Sequence, residues 1–222
     1  MEISYSDTAK GYLARPKNPN GAGVVVIHEF WGLTTQIKKT ADKISGEGFT
    51  VLAVDLYEGK VAKTREGAQE LKKSITESHA IKHLEAACAY LQREWGIPPK
   101  KIVLWGFCFG GGIAFQAAVY PIKTGGTIIY YGPVSDDAEL IDKIGGPIIG
   151  VFGGQDKSIT SEMAQRFHQT LHKGKKIHEI YIYPEVGHAF ANEERETYHE
   201  TSAKDAWKKT ITFLNKYVAK PA

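Results

Sequence analysis

"KKIVLWGFCFGGGIAFQAA", residues 100–118, passes from an apolar β-branched run into a glycine-flanked bend and then into a helical pattern. Gly106 and Gly110 stand two positions either side of Cys108. A sharp strand-to-helix turn leaves no room for a Cβ at those two places, so the glycines predict that Cys108 is the residue at the tip. A side chain there stands at a helix N-terminus, where the helix dipole and free N–H groups favour a thiolate, and the Phe109 N–H can donate to a developing oxyanion.

Further runs of the same kind lie on both sides: "GVVVIHE" (23–29), "FTVLAVD" (49–55), "GGTIIYYG" (125–132), "PIIGVFG" (147–153) and "IHEIYIYP" (177–184). Continuous apolar runs suit parallel strands covered on both faces. Amphipathic stretches separate them, such as Ile81, Leu84, Cys88 and Leu91 on one helical face. The alternation predicts an α/β fold, a mostly parallel doubly wound sheet with helices on both faces, forming a single domain over 1–222. "EISYS" and "KGYLARP" read as an antiparallel pair at the sheet edge. The segment 64–95 is too long for one ordinary helix and is expected to break near "TESH" (76–79). "AKDAWKKTITFLNKYV" (203–218) reads as a last helix docking on the sheet.

The chain has 222 residues, a net charge of +3, and 42% apolar and 24% charged residues. No apolar run reaches the ~18 residues of a membrane span, and the lysine pairs at 38, 72, 175 and 208 form no basic stripe. Neither a membrane nor a nucleic acid is expected as a partner. With no signal-like start and only Cys88 and Cys108, the expected location is the cytoplasm. A monomer is expected, with a dimer as the alternative.

Open parallel sheets bind ligands beyond the carboxyl ends of their strands. The residues there are His28, Glu29, Phe30 and Trp31, then Asp55 to Tyr57, then Cys108, Tyr131, Asp156 and His188. Cysteine, aspartate and histidine follow one another in the chain order of α/β-hydrolase triads. Glu29 sits opposite the elbow, where the Phe30 N–H can supply a second oxyanion donor. Trp31, Tyr57, Phe109, Tyr131 and Phe190 are expected to make an aromatic mouth. His79, His83, His168, His172, His178 and His199 are read as lying on solvated faces, and Cys88 as a buried thiol. His28 has no second histidine four residues on, and no phosphate-binding or dinucleotide motif occurs, so neither metal nor cofactor is expected.

Taken together, "HEFWGL", "VLAVDLY", "GFCFGG", "GGQD" and "GHAFAN" resemble the dienelactone hydrolase (carboxymethylenebutenolidase) family of α/β-hydrolases, over nearly the whole chain. The resemblance implies a triad of Cys108, Asp156 and His188, with Glu29 helping to deprotonate the thiol and Phe30 and Phe109 lending their N–H groups to the oxyanion hole. It implies a small ester or lactone as substrate. In the chlorocatechol-pathway members, a serine after the catalytic histidine and an arginine three positions later help to bind the substrate; here these are Ala189 and Asn192. For a further carboxylate-binding arginine after "DLY", the nearest candidate is Arg65. Two alternatives use the same residues: a thioesterase or acyl transferase on the same triad, and a non-hydrolytic redox or ligand-binding protein that uses the Cys108 thiol.

Overall fold

The computed structural model describes residues 1–120 and 122–219. In chain order the elements are β1 (Glu2–Ser4), β2 (Lys10–Ala14), β3 (Gly23–Ile27), α1 (Thr35–Gly46), β4 (Thr50–Val54), α2 (Arg65–Ser74), α3 (Glu77–Trp95), β5 (Ile102–Phe107), α4 (Phe109–Val119), β6 (Gly126–Tyr130), α5 (Ala138–Asp142), β7 (Ile148–Gly153), α6 (Ser161–Lys173), β8 (His178–Tyr183) and α7 (Glu200–Tyr217). The strands form one sheet in the order β1-β2-β4-β3-β5-β6-β7-β8. β3 to β8 run parallel, while β2 lies antiparallel to both β1 and β4. The antiparallel pair at the edge is therefore as expected.

Every residue of β3, β4, β5, β6 and β7 is buried, because helices cover both faces of these strands. One core joins Val25, Ile27, Leu104 and Ile129 to Leu84 of α3, Ile113 of α4 and Phe167 of α6. The other joins Val24, Val26, Val103 and Trp105 to Ile37 of α1 and Phe213 of α7. Alternate strand residues thus feed opposite cores, as the two-residue side-chain period requires. Cys108 packs against both cores, at the end of β5 where they meet.

Local chemistry sets the helix boundaries. The expected break falls at Ile75 and Thr76: Ile75 turns extended, and the Thr76 hydroxyl caps α3 by accepting from the His79 N–H. Gly96, in the left-handed region at φ 63°, ends α3. Along α7, Ala206, Thr210, Phe213 and Leu214 are buried and Trp207 packs beside them, so this helix docks on the sheet as read.

His83 departs from the solvated reading. It is buried on the apolar stripe of α3, and its Nδ1 lies 2.7 Å from the Tyr5 hydroxyl. His28 is buried completely. Burial holds both imidazoles below the ordinary histidine range. A group depressed in this way contributes its stability above the unfolded value, about 6.5, and loses it as pH falls through the folded value. His188 and Glu29, raised by their surroundings, act in the opposite sense, so the His83 contribution is read as a difference: going from pH 7.5 to pH 5 should lower the midpoint of urea unfolding more, or raise it less, in the wild type than in His83→Phe. An equal change in the two proteins would contradict this account.

Candidate active site

The turn after β5 is as tight as its glycines require. A Cβ at Gly106 would run into the Gly110 backbone, and one at Gly110 into the Ile27 and His28 carbonyls across the sheet. Cys108 sits at φ 52° and ψ −113°, outside the regions that L-residues favour. Such a conformation costs about 1–3 kcal/mol and persists only where its surroundings over-determine it. Here the Cys108 N–H donates to Tyr130 O at 2.9 Å, and its carbonyl accepts from the Gly112 N–H at 3.2 Å.

Three strand ends bring a hydrogen-bonded chain together. His188, in the loop between β8 and α7, places Nε2 3.1 Å from Cys108 Sγ and Nδ1 2.6 Å from Asp156 Oδ2. Asp156, in the loop between β7 and α6, is buried, and its Oδ1 accepts from the N–H groups of Ser158 and Ile159 at 2.8 and 3.0 Å. One carboxylate oxygen thus organises its own loop while the other faces the imidazole. Burial pushes Asp156 up, but the hydrogen bonds from His188, Ile159 and Ser158 outweigh it and leave the carboxyl below its ordinary value. Burial likewise pulls His188 down, yet its bonds to Asp156 and Cys108 carry it up to about 10. Cys88 differs from Cys108: it is buried in a core, and burial raises its thiol to about 12.

Glu29 is buried on the opposite wall, and its Oε2 accepts from Asn192 Nδ2 at 3.1 Å. Burial raises its carboxyl; the Arg195 charge, the Asn192 amide and the Tyr131 phenol partly offset this. Among the described residues Glu29 makes no hydrogen bond to Cys108, so the thiol's partner in this state is His188. Asn192 does not line the cavity: the position that resembled a substrate arginine holds Glu29 instead.

Glu29, Cys108 and His188 open on a cavity of about 610 Å³. Phe30, Trp31, Phe109 and Tyr131 line it, as does Ala189, at φ 60°. Tyr57 and Phe190 do not, contrary to the expected mouth. Phe190 is wholly buried against Tyr131 and Tyr183, and Tyr57 packs edge-on to His28 and stacks on Phe109. Each therefore backs a residue of the site. Arg65, Gln69 and Lys72 face the cavity from positions i, i+4 and i+7 of α2, and Arg195 enters from the loop before α7, 4.2 Å over the Trp31 ring. Among the described residues neither Arg65, Lys72 nor Arg195 has a carboxylate partner within 4 Å. No group of three or more metal-binding side chains is found among those residues, nor any helix long and apolar enough to cross a membrane.

A mostly parallel sheet whose fifth strand ends in a glycine-bracketed turn at Cys108, with aspartate and histidine on the loops after its last two strands, defines the class of α/β-hydrolase folds. More narrowly, the chain belongs to the dienelactone hydrolase family, whose profile matches residues 9–218. A Saccharolobus solfataricus protein assigned as a carboxymethylenebutenolidase is 35% identical, with the match covering 97% of this chain and 98% of that one. A Salmonella typhimurium protein with the same assignment is 30% identical over 98% of this chain and 86% of its own. A crystal structure assigned as a dienelactone hydrolase, from Klebsiella pneumoniae, superposes with a TM-score of 0.88 at 25% identity and covers 98% of both chains.

The Asn192 amide donates to the buried Glu29 carboxyl at 3.1 Å. Asn192→Leu should lower unfolding stability by about 1–3 kcal/mol, the cost of leaving a buried polar group without its partner. Urea unfolding at pH 7.5 measures this, and a loss below about 0.5 kcal/mol would show that the contact carries little.

Proposed function

We propose that the protein is a cysteine-dependent hydrolase of small esters or lactones, working as one domain. The observation that carries this reading is the Cys108–His188–Asp156 hydrogen-bond chain at the floor of the cavity. His188 takes the thiol proton and Asp156 holds the imidazolium that results. Glu29, made more basic by burial, acts on the thiol from the opposite wall. The thiolate adds to the substrate carbonyl, and the N–H groups of Phe30 and Phe109 receive the negative charge that moves to oxygen. The carbon–oxygen bond then breaks, releasing an alcohol that takes its proton from His188, or an enolate that departs unprotonated while His188 returns its proton to solvent, and a thioester remains on Cys108. His188 next removes a proton from water, the hydroxide attacks the thioester, and the thiolate leaves with the carboxylic acid formed.

A thiol suits leaving groups that depart with little acid assistance, so activated esters and enol lactones are the favoured class and amides the disfavoured one. Arg65, Lys72 and Arg195 give the cavity a positive rim, which favours an acyl or leaving group carrying a carboxylate. Each step is supplied by side chains of this chain and by water, without a cofactor.

Cys108→Ala should abolish turnover of p-nitrophenyl acetate, and the wild type should prefer an aryl ester bearing a terminal carboxylate over its neutral analogue by about tenfold in kcat/KM, roughly 1.4 kcal/mol. Turnover that survives the loss of the thiol would overturn the nucleophile assignment. Equal rates for the two esters would overturn the anionic preference.

A further inference from the structure

We infer that His28 is a positioning residue that fixes the direction of the Phe30 N–H. The role rests on the acyl-transfer chemistry proposed above for Cys108. His28 follows β3 immediately and is wholly buried, so its ring meets neither solvent nor substrate. Its Nε2 lies 3.2 Å from the Leu56 N–H. That backbone group can only donate, so Nε2 carries the lone pair and the proton belongs to Nδ1. Nδ1 in turn lies 2.6 Å from Glu29 O and donates to it.

The Glu29 carbonyl and the Phe30 N–H belong to one peptide unit, and no cis bond occurs among the described residues. In a planar trans peptide the two groups point in opposite directions. Drawing the carbonyl inward to His28 therefore turns the N–H outward, and Phe30 lines the cavity. The Gly32 N–H donates to the same carbonyl at 3.2 Å, so the plane is held from two sides. The ring itself is clamped: Tyr57 packs edge-on at 4.7 Å, and Phe109 lies 6.4 Å away, centroid to centroid. Burial keeps the ring neutral, which preserves the single-proton arrangement that the two bonds require.

An asparagine amide can occupy the place of Nδ1 and donate to the same carbonyl, while leucine cannot donate at all. Both substitutions lose the Leu56 bond, so comparing them isolates the bond to Glu29 O. Using p-nitrophenyl acetate with the full chain, His28→Leu should lower kcat about 10- to 100-fold with KM nearly unchanged, a smaller loss than removal of an oxyanion donor outright. His28→Asn should stay within about threefold of the wild type. Alkylation of Cys108 by iodoacetamide should proceed at the wild-type rate in both, because the thiol and His188 are untouched. A full kcat in His28→Leu would overturn the role. So would an equal loss in both variants, or alkylation that slows in step with kcat. Turnover in Cys108→Ala would instead overturn the underlying hydrolase reading, whatever the His28 variants do.

Discussion

The closeness of three backbone segments at the end of β5 is the constraint on which the site depends. Gly106, Gly110 and the Ile27–His28 carbonyls pack so tightly that no side chain fits between them, and Cys108 makes the turn there at a positive φ of 52°. The strain is sustained by the sheet: Cys108 is tied to β6 through Tyr130, and buried strands flank it on both sides. The same approach sets the β3 end, with Glu29 and Phe30, across from the elbow. Cys108 and the opposite wall are thus spaced by one packing event, and side chains then refine a geometry that the backbone already holds.

Electrostatics divides the two imidazoles of this region by environment. His28, wholly buried, is depressed and serves as a fixed hydrogen-bonding wedge. His188, partly exposed and held between Asp156 and Cys108, is raised, which suits the proton-carrying role proposed for it. Glu29 stands between these extremes, pushed up by burial and steadied by a neutral amide. The positive groups of the cavity lie farther out, on α2 and on the loop before α7, where an incoming substrate meets them before the thiol.

Much of this was legible in the amino-acid order. Long apolar runs mark the strands, and in a parallel sheet the residues just after each strand must gather at one edge, so the order of residues alone brings Cys108, Asp156, His188 and Glu29 together. Side-chain direction was less legible. Tyr57 and Phe190 follow strand or loop positions near the site, but the local backbone turns both inward to back His28 and Tyr131. Asn192 stands where the resembled chlorocatechol-pathway enzymes have an arginine, and only the loop geometry shows that it turns to Glu29, 163 residues away. Arg195 gave no periodic signal because it lies on an irregular loop. The face of α2 bearing Arg65, Gln69 and Lys72 could have been found from its helical spacing, and His83 from its place on the apolar stripe of α3.

The central claim is that a thioester on Cys108 lies on the reaction path. Intact-mass and peptide-mapping analysis of His188→Gln, quenched after prolonged exposure to p-nitrophenyl acetate, tests this directly, because Glu29 still acts on the thiol, though acylation is slower, while the group that activates water for deacylation is gone. The account predicts one acetyl group per chain, located on the peptide containing Cys108. Acetylation confined to another residue, with Cys108 unmodified, would contradict it.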